Sequence, residues 1–128
     1  MSDQVGALTS VLLFTTPERF PAMRAFYLDT VGLVAAADRG TRVAFNWGPG
    51  DHLVRLILST HDGVEGMTGD PYRIMLNFQV DDIHAVAKRM QGAGVDLIRP
   101  PSQESWGGWI ATFEDPDGNL VQLLQPTA

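Results

Sequence analysis

The apolar and polar positions of the chain fall into two successive series with the same order. Residues 8–15 are rich in apolar and β-branched side chains and read as a strand. Thr16-Pro17-Glu18 then supplies a capping hydroxyl, a proline suited to the first helical position and an acid that complements the helix dipole. Phe20, Met23, Tyr27 and Val31 recur at helical spacing with Phe26 beside them, and Gly32 ends the helix. Three short strands are expected next, over residues 33–37, 41–47 and 53–59. Asp38-Arg39-Gly40 and Gly48-Pro49-Gly50-Asp51 supply the turns between them.

Residues 61–71 contain Gly63, Gly66 and Gly69 and no apolar periodicity, which makes them the longest loop and the linker between halves. The order then repeats. Residues 72–80 alternate as a strand, with Ile74, Leu76, Phe78 and Val80 on one face and Arg73, Met75, Asn77 and Gln79 on the other. Asp81 is expected to cap a second helix whose apolar face is Ile83, Val86, Ala87, Met90 and Ala93, and Gly94 ends it. Strands follow over 95–98, stopped by Pro100-Pro101, then over 109–113 and 120–124, the last two joined by the turn Asp115-Pro116-Asp117-Gly118-Asn119. The expected fold class is α+β: two βαβββ modules, at about 8–60 and 72–125, forming a curved mixed sheet within a single domain. Two helices returning on the same side cover one face of that sheet. The other face must curl into a cavity, and a ligand is expected there.

Composition narrows the ligand. The chain has 128 residues, 45% apolar, enough for a real core. Its formal net charge is −6 with nine basic residues, and no basic cluster argues for nucleic acid or an anionic membrane surface. That charge is compatible with a cationic ligand, but solubility alone accounts for it more simply. No cysteine is present, so thiolate metal sites, disulfides and a Cys nucleophile are excluded. The apolar run of residues 11–14 is too short for a signal-peptide core or a membrane span, and a cytoplasmic location is expected.

Several segments resemble the vicinal-oxygen-chelate superfamily, which includes glyoxalase I, extradiol dioxygenases and bleomycin-resistance proteins. They are Phe26-Tyr27 with Val31-Gly32-Leu33, Val80-Asp81-Asp82-Ile83, Ala93-Gly94-Val95, and most specifically the run from Phe113 through Asp115-Pro116-Asp117-Gly118-Asn119 to Leu123. The resemblance covers nearly the whole chain. It implies the modular fold, but the fold alone does not imply a reaction.

Metal-using members of that superfamily place four ligands on the open face of the sheet, from the first and last strands of each half. Carried over by the motifs, those positions fall on Gln122, on Met75, near Ser10 to Leu12, and on Arg55 or Ile57. A Gln oxygen is a weak neutral donor, thioether sulfur suits hard divalent ions poorly, and Arg has no acceptor. The resemblance therefore implies a member without the usual metal and with no cofactor expected. His52, His61 and His84 are not spaced to build a replacement. Asp115 and Asp117 lack the further carboxylates of a calcium loop.

The cavity candidates are instead Arg55, Met75, Asn77 and Gln122, with Leu120 and Leu124 beside Gln122, and the aromatic side chains of Phe45, Trp47, Trp106 and Trp109. Trp106-Gly107 resembles the Trp-Gly step of bleomycin-resistance proteins, whose indole stacks on the drug. Phe45, Trp47 and Trp109 suit a core or a dimer interface as well as a cavity wall. Two readings follow. One is a metal-free protein that sequesters an aromatic or cationic antibiotic-like compound. The other is a lyase, isomerase or dioxygenase of the same superfamily with an atypical or absent metal site. Both predict a homodimer, because open sheets with exposed edges are closed by pairing.

Overall fold

The computed structural model describes residues 7–127, and the chain divides into two compact units, Met1–Glu65 and Gly66–Ala128. Each unit is one βαβββ module. The first contains β1 (Ser10–Thr15), α1 (Phe20–Ala25), β2 (Ala37–Asp38), β3 (Val43–Trp47) and β4 (Val54–Thr60). Its sheet runs in the order β1-β4-β3-β2, with β1 parallel to β4 and the other pairs antiparallel. The parallel pair is possible because α1 supplies the crossover between distant strands.

Register and burial sort this sheet into two faces. Val11, Leu56 and Phe45 lie in one row, and Leu13, Leu58 and Val43 in another on the same side. Val43, Phe45, Leu56 and Leu58 are buried there together with Phe20, Met23 and Tyr27 of the helical segment. Each such side chain contributes roughly 1.5–3 kcal/mol of burial. The opposite, helix-free face carries the rows Ser10–Arg55–Asn46 and Leu12–Ile57–Ala44.

The helical segment differs from the expected one. Thr16 Oγ1 accepts a hydrogen bond from the Arg19 N–H at 3.2 Å, but regular α-helix begins only at Phe20. From Phe26 to Val31 the winding is π-helical, and the Gly32 N–H bonds the Tyr27 carbonyl. Wider turns place residues five apart on one side, a spacing the 3.6-residue pattern does not anticipate. The chain leaves the segment through Gly32 at φ 88°, a left-handed conformation costly for any other residue. The expected strand over 33–37 reduces to the two-residue β2 at the sheet edge.

The second module contains β5 (Met75–Gln79), α2 (Ile83–Gly92), β6 (Leu97–Gln103), β7 (Trp109–Glu114) and β8 (Leu120–Gln125). The order β5-β8-β7-β6, with β5 parallel to β8, repeats that of the first. Ala111, Phe113, Val121 and Leu123 are buried on the helix side with Ile83, Ala87 and Met90. Asp82, rather than Asp81, caps α2, accepting from the Ala85 N–H at 3.1 Å. Gln125 Oε1 accepts from the Ile83 N–H at 2.8 Å, so β8 satisfies a second orphan donor of the helix.

Two further expectations change. β6 does not stop at Pro100-Pro101 but runs through it to Gln103. It is the edge strand, and its pairing with β7 shifts register between Arg99 and Ser102, where missing N–H groups cost no ladder bond. β5 starts at Met75, because Pro71–Arg73 forms a 3-10 turn and leaves Ile74 exposed outside the strand. Among the described residues no helix is long and apolar enough to cross a membrane.

Candidate functional site

The helix-free face of the second sheet carries one continuous polar row. Asn77 of β5 is in register with Gln122 of β8, Gln122 with Thr112 of β7, and Thr112 with Arg99 of β6. Four strands at about 4.8 Å spacing make a row about 14 Å long, the width of a two- or three-ring aromatic molecule. Gln122 Nε2 reaches Thr112 Oγ1 at 3.4 Å, a long bond that holds the amide toward the row. Arg99 Nη1 meets Glu104 Oε1 at 2.9 Å, so that guanidinium is already neutralised. Among the described residues neither the Asn77 amide nor the Gln122 carbonyl oxygen has a protein hydrogen-bond partner, which leaves both a donor and an acceptor for a ligand.

Mixed rows flank this stripe, the first ending on Glu114, which pairs with Leu120. Met75 pairs with Leu120, and Gln79 with Leu124 and then Ile110. Met75 thus stands on the same face as Gln122 but aligns with Leu120; the residue level with Gln122 is Asn77. At the β6–β7 turn the Trp106 ring lies over Gly108, so close that a Cβ there would sit 1.8 Å from Cζ3. Alternation puts position 108 on the side of Ile110 and Thr112, and Trp106 is 55% exposed. Its indole therefore presents a free edge on that side at the turn end of β7, beyond the Ile110 row.

The other aromatic candidates lie elsewhere. Phe45 is buried on the helix side of the first sheet, and Trp47 follows it on that side, with ring centroids 6.5 Å apart. Trp109 faces α2, edge-on to the His84 ring at 4.8 Å. The alternation that places Gln122 on the helix-free face places Trp109 on the opposite one. Arg55 sits on the helix-free face of the first sheet between Ser10 and Asn46.

Thr112 and Arg99 were absent from the expected set. Thr112 was accessible to counting, because Thr112 and Gln122 stand equal steps either side of Asp117 in the β7–β8 turn. Arg99 was not, because the register shifts in β6 carry no sequence signal of their own.

The superfamily's divalent metal does not suit these donors. The rows offer amides, hydroxyls, a thioether, guanidinium groups and a single carboxylate, Glu114. Among the described residues no group of three or more His, Asp or Glu comes together. His61 is engaged locally, its Nδ1 accepting from the Gly63 N–H at 2.9 Å and its ring against Phe14.

One ion pair has a shifted titration. On the helix side of the first module the Arg24 guanidinium binds the Asp38 carboxylate, and the Gly40 N–H adds a bond at 3.0 Å. These hold the Asp38 carboxyl below its ordinary range, the Arg24 hydrogen bond contributing most. The pair's stabilisation is present above the unfolded carboxyl value and is lost as pH falls through the lower folded value. Carbon-detected NMR titration of Arg24→Gln is expected to move the Asp38 midpoint upward; an unmoved midpoint would show that the guanidinium is not the cause.

Two βαβββ modules, each with a helix on one face and a polar row on the other, define a protein of the vicinal-oxygen-chelate class. The chain belongs to the glyoxalase-like family: residues 9–127 match the family described as "Glyoxalase-like domain". An uncharacterized protein of Shewanella frigidimarina (strain NCIMB 400) is 36% identical over 83 residues, 60% of this chain and 59% of the relative. The match thus spans about three-fifths of that relative's length. TnmS3, an antibiotic binding protein from Streptomyces sp. CB03234, is 26% identical at a TM-score of 0.69, covering 96% of this chain and 98% of that one. A glyoxalase/bleomycin resistance protein/dioxygenase from Nocardioides is 20% identical at a TM-score of 0.66, covering 97% and 85%, a likeness of fold.

Proposed function

We propose that this protein is a metal-free binder that sequesters a planar, aromatic antibiotic-like compound, acting in the cytoplasm as a homodimer, its two modules forming one functional domain. The observation that carries this reading is the Asn77–Gln122–Thr112–Arg99 row. Its two amides lie level on adjacent strands, and one of them, Gln122, stands at a position where the resemblance implies a metal ligand. Neutral donors and acceptors orient a heterocycle without activating it, and the Trp106 indole offers a stacking face. The antibiotic-binding relative from Streptomyces supports the same reading. A cationic ligand is less well matched by the row itself, whose one charged member, Arg99, is a cation already paired with Glu104.

The test is a thermal-shift panel of aromatic natural-product antibiotics. A ligand held at micromolar affinity has a binding free energy of about −8 kcal/mol. At a hundredfold excess over its Kd it adds about 2.7 kcal/mol, a rise in melting temperature of about 8–15 °C for a domain of this size. The rise is expected to persist in EDTA and to shrink in Gln122→Ala. Loss of the effect on chelation would point instead to a metal-dependent enzyme. Light scattering is expected to show a dimer, since β1 and β2 in one sheet and β5 and β6 in the other are edge strands.

A further inference from the structure

We propose that the helix-free face of the first module's sheet binds an organic anion, a carboxylate borne on a flat apolar body, with Arg55 as its counter-ion. The inference rests on the binding-protein reading only in taking the helix-free faces as ligand surfaces. The chain is acidic, with fifteen Asp and Glu against nine Lys and Arg. Yet among the side chains that strand register places on this face, which include Ser10, Leu12, Ile57, Asn46 and Ala44, Arg55 is the only charged one.

Arg55 is exposed, and it stands on β4, a strand hydrogen-bonded on both sides. Arg24, Arg73 and Arg99 are compensated by Asp38, Asp70 and Glu104, whereas Arg39 and Arg42 of the β2–β3 turn are, like Arg55, without a carboxylate partner among the described residues; of these three, Arg55 alone stands within a strand. Among the described residues Arg55 has no carboxylate within 4.0 Å and no side-chain hydrogen bond. A guanidinium fork matches a carboxylate with two parallel bonds. Ser10 on one side and Asn46 on the other add a hydroxyl and an amide donor, so three adjacent strands present donors in a single row.

The next row sets the rest of the ligand. Leu12, Ile57 and Ala44 lie one step along the same face, with Phe14 beyond Leu12. Leu12 is 52% exposed, an apolar side chain left open beside the guanidinium. An anion without an apolar body would leave that row unused. A neutral aromatic would leave Arg55 without an acceptor.

The experiment uses the full chain, with 2-naphthoate and its neutral counterpart 2-naphthamide followed by amide NMR at low salt. Naphthoate is expected to shift the Ser10, Asn46 and Arg55 amides and to bind at least tenfold more tightly than naphthamide. Arg55→Gln is expected to cost tenfold or more in naphthoate affinity, and Arg55→Lys, which keeps the charge but not the fork, about half of that loss on a logarithmic scale. The two substitutions are at an exposed position, and unchanged melting temperatures are the folding control. Equal affinity for naphthoate and naphthamide, or naphthoate binding that Arg55→Gln leaves intact, overturns the proposal. An aromatic antibiotic that stabilises wild type and Arg55→Gln alike while naphthoate does not bind leaves the sequestration reading standing and removes this one. Naphthoate binding through Arg55 in a protein that no antibiotic stabilises does the reverse.

Discussion

Replacing Asp115 with alanine is expected to lower the melting temperature by about 8–15 °C, the equivalent of about 2–4 kcal/mol. The Asp115 side chain is 4% exposed and accepts three hydrogen bonds. Its Oδ1 takes the N–H groups of Asp117 and Asn119, both at 2.9 Å, and its Oδ2 takes the Asn119 amide at 2.8 Å. Alanine leaves those donors without an acceptor inside a buried turn, which costs more than the bonds themselves are worth. Asp115→Asn retains one carbonyl oxygen for the two backbone donors and is expected to lose about half as much. The consequence reaches the polar row, because this turn fixes the register that puts Gln122 opposite Thr112. Thermal melts with hydrogen exchange across Leu120–Gln125 give the test. A fall of less than about 2 °C in Asp115→Ala would show that the backbone bonds alone hold the turn.

The same turn explains why the second module was largely legible in the sequence. Asp-Pro-Asp-Gly-Asn joins two strands, and equal steps from its centre give the pairing of β7 with β8. The α2 pattern was equally direct, because Ile83, Ala87 and Met90 are buried at helical spacing. Legibility failed where tertiary context overrode local preference. Pro100 and Pro101 normally end a strand, but on the edge they cost no ladder bond and β6 continues. The π-helical turns of Phe26–Val31 have no composition of their own. Asp81 and Asp82 are chemically equivalent caps, and only backbone geometry chose the second.

The site was half legible for a related reason. Alternation alone puts Asn77, Met75 and Gln122 on one face, and register then shows that Asn77, not Met75, stands level with Gln122. Aromatic content left the choice between core and cavity wall open, because size does not say which face a side chain takes. Trp109 is an odd step from Ile110 and so turns toward α2 and His84, while Phe45 joins the core of its own module. What distinguishes Trp106 is its place in a turn, where no strand alternation binds it and a glycine two residues on leaves space for the ring.

That space supplies the sharpest test of the proposed ligand face. Gly108→Ala is expected to lower affinity for an aromatic ligand by tenfold or more, about 1.4 kcal/mol, with little change in stability. A Cβ at position 108 would sit 1.8 Å from Cζ3, 2.2 Å from Cη2 and 2.8 Å from Cε3 of Trp106, so the ring has to leave. Because that ring is already 55% exposed, the fold loses little when it moves, under about 1 kcal/mol. Stacking and the area the indole covers are lost together, and offset stacking alone is worth about 0.5–1.5 kcal/mol. Indole emission is expected to shift to the red as Trp106 enters water. Trp106→Ala should reproduce the affinity loss, and Gly108→Ala added to it should cost nothing more, since the two changes act through one ring. Additive losses would mean that Gly108 serves the ligand directly. Unaltered emission and affinity in Gly108→Ala would remove Trp106 from the site.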